Sequence, residues 1–321
     1  ATLSGAIDHV VPAFYQGEVV FESVSHLTCN FDKLLRVGLN QYMAELSNRA
    51  ATMYAEEPEN KDGYRFLESM ACVYKNIGVW HGRYMKELAR LQNEADSQEK
   101  SDYYSELIYY LKDVPFKKPT SFRSALQSLW FSFAFIRLCG NWPGIGRMDV
   151  MLEEYLQADL RAGVLTLDEA RELLANFFVK GCEWSSLDIT PGGDAQHYQN
   201  IVLGGIDENG KQVEGDMTRL ILEVVEELPI GDFPIAVRIS RRTPRWLVEK
   251  AAEVIRHGGG VVAVYNEDLV IQSMVDFGYE LSEARQFAND GCWEVQVPGK
   301  TNFTYLPWDA LLFLQKDVLH L

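Results

Sequence analysis

Leu34, Leu35, Leu39 and Met43 recur at the spacing of one helix face, so the spacing predicts a helix over residues 31–49. A second helical pattern runs over 64–93. The polar stretch 94–100 reads as a loop, with a shorter helix after it to Leu111. VPFKKP, residues 114–119, breaks the pattern, and Thr120 and Ser121 then offer caps to a strongly apolar helix over 122–138. CGNWPGIG, residues 139–146, carries three glycines and a proline in eight positions and reads as a loop. A helix over 148–162 follows. Thr166 with Glu169 has the spacing of a capping box, which starts another helix ending near Cys182.

The period then changes. NIVLGG (200–205), FPIAVRIS (233–240) and GVVAVYN (260–266) are short, apolar and rich in β-branched residues, as strands are. Between the last two, Thr243 is placed as a cap, Pro244 at the first helical position and Gly258 beyond the helix end. Strand, helix, strand at these lengths is a βαβ unit, hence parallel pairing. Helices over 268–277 and 282–288 complete the pattern, with no repeat and no low-complexity linker. The expected organisation is one region, 1–321: a mostly helical part over 1–199 packed on an α/β part over 200–321.

Composition narrows the function classes. The chain has 321 residues, 47% hydrophobic, enough for a large core. Its net charge of −16 repels phosphate backbones and anionic lipid, so neither nucleic acid nor membrane is an expected partner. The most apolar stretch, 125–139, is interrupted by Gln127 and Arg137 and reads as a buried helix. Five cysteines at wide spacing, without CxxC, argue against a disulfide framework or a zinc site and fit a reducing cytoplasm. The start, ATLSGAIDHV, lacks the basic and apolar regions of a secretory signal.

The candidate chemistry lies in NDGCWEVQ, residues 289–296. In an extended segment Cys292 and Glu294, two apart, point to one side, and Gly291 permits a tight backbone. A neighbouring carboxylate raises a thiol pKa, and the loop holds no Lys, Arg or His before Lys300. Ionic Cys–His chemistry is therefore poorly supported, and a reactive Cys292 would need a route that avoids the thiolate. The competing reading is a packed structural cysteine. His26 is a proton carrier or a hydrogen-bonded structural group, Arg147 with Asp149 reads as a structural ion pair or cap, and His197 has no metal spacing. Gly258, Gly259 and Gly260 follow a helix and enter a strand, the reverse of a phosphate loop. Trp142 and Trp293 are packing residues or pocket walls.

The order of these pieces resembles the glycyl radical enzyme family, which is pyruvate formate-lyase-like. The resemblance is carried by SHLTCNFDKLLRVGLNQ, SFRSALQSLWF, the Gly-Arg-x-Asp run GIGRMDVMLEEYLQADLRAGVLTLDEARELL, NIVLGGIDENGKQ, the strands from FPIAVRIS to GVVAVYNEDL, and finally DGCWE. It implies part of a ten-stranded α/β barrel built around a Gly-Cys-x-Glu loop. It further implies that Cys292 becomes a thiyl radical taking a hydrogen atom from a small substrate, with Glu294 as general base in an elimination of the dehydratase or lyase kind. His26, Asn141, Trp142 and Trp293 fall where members place substrate contacts. Asn141 and Trp142 differ from the polyol-dehydratase pattern, which points away from glycerol and propanediol. A single cysteine after Gly291 differs from the adjacent cysteines of pyruvate formate-lyase itself.

Trp293 is bulkier than the usual residue, and Val262 replaces a frequent proline. The family's Arg-Val-x-Gly-Tyr radical segment has no counterpart here; RVGLNQY (36–42) has the wrong spacing and place. The chain thus reads as the central part of such an enzyme, without the C-terminal glycyl radical domain. No cofactor is expected to bind it directly, the radical glycine lying outside this chain. The implied partners are a small-molecule substrate and a radical S-adenosylmethionine activating enzyme in an anaerobic cytoplasm, with a homodimer among the assemblies allowed. The alternatives are a non-catalytic binding or scaffold homologue, and a C–C lyase or decarboxylase of the same family.

Overall fold

The computed structural model describes residues 27–138, 143–182, 199–258 and 262–301, together with Gln315 and Leu319. Among them the first half is helical. α1 spans Phe31–Val37, with the Asn30 side chain accepting from the Lys33 N–H at its start. α2 spans Leu39–Glu56. The single helix expected over 31–49 is thus split at Gly38, whose φ is +77°. The cause is non-local. The Pro115 and Phe116 carbonyls accept from the Leu39 and Asn40 N–H groups, each at 2.9 Å, and take over the first turn of α2.

α3 (Lys61–Asn93) and α4 (Gln98–Leu111) are capped by Asn60 and Ser97. α5 (Phe122–Leu138) is the buried helix of this part, with Phe122, Leu129 and Phe133 fully enclosed. α6 (Met148–Ala162) ends at Gly163 in the left-handed conformation, and α7 (Leu167–Gly181) starts at the Thr166–Glu169 capping box with both reciprocal bonds made.

β1 (Ile201–Gly204), β2 (Ile235–Ile239) and β3 (Val262–Asn266) form a parallel sheet in the order β1-β2-β3. Ile201 pairs with Ile235, and Ile235 with Val262. α9 (Arg245–Ile255) is the expected crossover from β2 to β3. Its cap is Pro244 rather than Thr243, because the Thr243 hydroxyl is engaged by the Ser240 N–H at 2.8 Å. A second crossover, α8 (Asp216–Glu227), joins β1 to β2 and was not anticipated. Its buried Met217, Leu220, Ile221, Val224 and Val225 have helical spacing, so the signal was present.

The two faces of the sheet differ. Ile201, Leu203, Ile235 and Val237 point into the main core under the helices, where each fully buried side chain contributes roughly 1.5–3 kcal/mol. Val202 and Ala236 point the other way and meet Ala288. Small side chains there leave room for a close-packed backbone. β3 is more open than its neighbours, Val264 being 50% exposed.

α10 (Glu267–Asp276) follows β3 directly, capped by Asn266. The helix expected over 282–288 is only one turn, α11 (Leu281–Ala284). Arg238, buried in an ion pair with Glu267 at 2.7 Å, draws the Phe287 carbonyl to itself at 3.1 Å, and the chain leaves the helical path. Ala288 instead opens β4 (Ala288–Asp290), which pairs antiparallel with β5 (Glu294–Gln296).

Candidate functional site

The β4–β5 hairpin lies on the Val202–Ala236 face of the sheet and carries NDGCWEVQ. Its three-residue connection is Gly291, Cys292 and Trp293. The extended alternation expected to align Cys292 with Glu294 is replaced by a tight turn, with φ of +55° at Gly291 and +81° at Trp293. The last residue of such a loop is ordinarily glycine. A tryptophan there costs about 1–2 kcal/mol in backbone strain. Two contacts offset it. Trp293 packs with Tyr265 against the small side chains of Val202, Ala236 and Ala288, and the Tyr265 hydroxyl donates to the Trp293 carbonyl at 2.5 Å. The Asn200 amide donates to the Gly291 carbonyl at 3.2 Å, fixing the other side of the turn.

The turn presents Cys292 as an exposed free thiol. The residues that flank the turn, Asp290 and Glu294, are cross-strand partners. Side chains of such a pair share one face, with Cβ atoms about 4.5–5.5 Å apart. Asp290 is fully buried and Glu294 partly so. Oδ1 of Asp290 accepts from the Gly291 N–H at 2.8 Å. Oδ2 of Asp290 and Oε2 of Glu294 are both buried without a hydrogen-bond partner. Burial pushes the Asp290 carboxyl up from 3.8 to about 8. The Gly291 and Gly144 N–H groups oppose the rise, and the Glu294 charge adds to it. Tyr265, on β3, is held well above its ordinary value by burial and then by Glu294.

Two segments flank the hairpin. Thr28 donates its N–H to the Gln296 side chain at 2.9 Å and its hydroxyl to the Asn289 carbonyl at 3.2 Å, while its own carbonyl accepts from Gly299 at 2.8 Å. Next to it, burial and then the Asp290 charge raise the Cys29 thiol to about 12. Gly144 lies against β4 beside Thr28. A Cβ on it would sit 3.0 Å from the Asn289 carbonyl and 3.1 Å from Cγ of Asp290, so only glycine lets this loop approach.

Of the residues singled out in the sequence, Cys292, Trp293 and Glu294 are thus brought together. His26, Asn141, Trp142 and His197 lie outside the described residues. Arg147 and Asp149 do not form an ion pair with each other. Arg147 donates to the Gly204 and Ile206 carbonyls at 2.6 and 2.7 Å, and Asp149 accepts from the Gly204 N–H at 2.7 Å. Together they lock the corner after β1. Sequence reasoning passed over Asp290, Tyr265, Thr28 and Asn200. The polar residues flanking Gly291 hinted at Asp290, but its pairing with Glu294 follows only from the hairpin register. Among the described residues no group of three His, Cys, Asp or Glu side chains is arranged to hold a metal. No described helix is long and apolar enough to cross a membrane.

Comparison with known proteins agrees with this architecture. Isethionate sulfite-lyase of Nitratidesulfovibrio vulgaris is 27% identical over 296 residues, covering 88% of this chain and 35% of that protein. Trans-4-hydroxy-L-proline dehydratase of Clostridioides difficile is 28% identical over 244 residues, covering 73% of this chain and 31% of that protein. The chain therefore spans about a third of the length of the curated relatives it matches. Among solved structures, the glycerol-bound form of the B12-independent glycerol dehydratase from Clostridium butyricum superimposes with a TM-score of 0.79 at 26% identity, covering 87% of this chain and 36% of that one. The expected fold class holds: a helical part packed on part of a glycyl radical enzyme barrel. With the family model for pyruvate formate lyase-like proteins matching residues 12–310, the chain belongs to the pyruvate formate lyase-like family.

Proposed function

We propose that this chain forms the catalytic core of a glycyl radical lyase or dehydratase acting on a small molecule. The observation that carries the reading is the hairpin itself. It presents the exposed Cys292 thiol on a tight turn closed by Glu294, whose carboxyl holds an unpartnered oxygen. The names of the relatives, a sulfite-lyase and dehydratases, support elimination as the reaction class. In that family a glycine-centred radical, outside this chain and installed by a radical S-adenosylmethionine activating enzyme, converts a loop thiol to a thiyl.

The residues present fit that chemistry. Hydrogen-atom transfer needs a thiol open to substrate, and the Cys292 thiol is free and exposed on the turn. Cys292 takes a hydrogen atom from a substrate carbon. Glu294 accepts the proton of the hydroxyl on that carbon, a role worth about 10²–10⁴ in rate. The Tyr265 and Asn200 bonds hold the turn against the sheet. His26, Asn141 and Trp142 would complete the substrate pocket, and the uncovered part of Trp293 would wall it. An oxygen-sensitive radical implies an anaerobic cytoplasm.

The test uses the intact gene product carrying this sequence, treated anaerobically with an activating enzyme. The readouts are an organic radical signal and consumption of isethionate, trans-4-hydroxy-L-proline or glycerol. Turnover that is abolished by Cys292→Ala and reduced about 10²–10⁴-fold by Glu294→Gln is expected. Turnover that survives Cys292→Ala sinks the reading, as does a protein that forms no radical and behaves as a scaffold.

A further inference from the structure

The hairpin holds a second carboxyl for which the function above has no use. Burying an unpaired carboxyl oxygen costs free energy, and native proteins rarely leave one so without a reason. Here two such oxygens, Oδ2 of Asp290 and Oε2 of Glu294, belong to the cross-strand partners that close the turn carrying the exposed thiol.

We propose that Asp290 is a further catalytic residue, the acid that protonates the departing group while Glu294 removes a proton from the neighbouring hydroxyl. The inference rests on the elimination reading. Two observations fit the acid to its task. The Oδ1 atom accepts from the Gly291 N–H, which leaves Oδ2, buried and without a hydrogen-bond partner apart from the approach of the Gly144 N–H, to carry the proton of the neutral carboxyl. Its partner Oε2 is a buried acceptor without a donor. A substrate with a hydroxyl on one carbon and a hydrogen-bond-accepting leaving group on the next satisfies both at once. Burial, with a carboxyl neighbour, keeps Asp290 protonated up to about pH 8. A carboxyl kept protonated by burial beside a second carboxyl is a recurrent way to seat an acid in a site.

The step balances. Cys292 first removes a hydrogen atom from the hydroxyl-bearing carbon. Glu294 then takes the hydroxyl proton, and the bond to the leaving group breaks with its electron pair going to that group. The leaving group receives the Asp290 proton as it departs, so a hydroxyl leaves as water and a sulfonate as bisulfite. The hydroxyl carbon becomes a carbonyl carbon, and the unpaired electron passes to the adjacent carbon, which recovers the hydrogen atom from Cys292. Glu294 is left protonated and Asp290 ionised. One proton moving between the cross-strand partners restores the start.

The titratable groups facing Asp290 among the described residues are Glu294 on β5 and Cys29 from the segment before α1. The 143–146 loop presents backbone at Gly144, and the residue before β1 presents the Asn200 amide.

Two measurements on the intact gene product decide the matter. The first is infrared titration. A carboxylic-acid carbonyl band that disappears near pH 8 is expected, absent in Asp290→Asn and shifted to lower pH in Glu294→Gln. If no such band exists, or if Asp290→Asn retains it, the inference falls. The second is kinetic, with isethionate or glycerol, whichever of the two the activated protein consumes, since both carry a hydroxyl on the carbon next to the leaving group. Asp290→Asn is isosteric with the neutral acid, and its fold is checked by circular dichroism. It should keep the radical signal and keep exchanging solvent deuterium into recovered substrate through Cys292. Elimination should fall at least about 100-fold and lose its decline above pH 8. Wild-type elimination with a wild-type pH profile in Asp290→Asn overturns this inference alone. A protein that consumes neither compound overturns this inference, and if it leaves trans-4-hydroxy-L-proline untouched as well, the elimination reading falls with it.

Discussion

At the scale of single residues, Cys292 and Glu294 stand out in the sequence through the order of motifs that ends at DGCWE, since a lone Gly-Cys-x-Glu reads as a packed structural turn. Asp290 does not, although it lies two residues before the thiol. Its significance depends on being fully buried and on facing Glu294, and both depend on a turn that Trp293 adopts against its own backbone preference. The Asp290 carboxyl also sets a pH dependence of stability. Its folded-state pKa of about 8 lies above the ordinary 3.8, so between those values the folded chain holds a proton that the unfolded chain has released. Stability from this group is complete below about pH 4 and is lost as pH rises through about 8, by up to roughly 1.4 kcal/mol per pH unit. Urea unfolding at a series of pH values should show that slope in the wild type and not in Asp290→Asn. An equal slope in both would place the titration elsewhere.

At the scale of elements, local signals were read well and non-local ones were not. The Thr166–Glu169 capping box is contained in four residues and was visible. The break between α1 and α2 was not, because carbonyls from residues 115 and 116 impose it from more than seventy positions away. The end of α11 has the same character, since Arg238 captures the Phe287 carbonyl from another strand. The two kinds of site should respond differently to mutation. Thr166→Ala removes one cap and should cost about 1 kcal/mol. Gly38→Ala places a methyl 2.5 Å from the Phe116 carbonyl at a φ of +77°, so it should cost more, roughly 1–3 kcal/mol. Thermal unfolding of the two variants compares them directly. A Gly38→Ala protein as stable as wild type would mean that the 115–116 segment yields freely.

At the scale of the whole molecule, a helical front on an α/β back was legible from the change of hydrophobic period near residue 200, and family membership from the order of motifs along the chain. The sheet's second crossover and the seat of the hairpin were not, because they depend on which face of each strand the helices occupy. The openness of β3 has a consequence for handling the protein. A parallel strand is normally covered on both faces, yet Val264 is 50% exposed and no described strand hydrogen-bonds to the outer side of β3. A free row of backbone donors and acceptors beside apolar side chains is a template for another chain. The 321-residue polypeptide alone should therefore self-associate with rising concentration, and Val264→Lys should suppress it. Sedimentation velocity showing a concentration-independent monomer would refute that expectation. The same template is where further strands of a longer polypeptide would dock, so stickiness in isolation and completion of a barrel would be two outcomes of one unsatisfied edge.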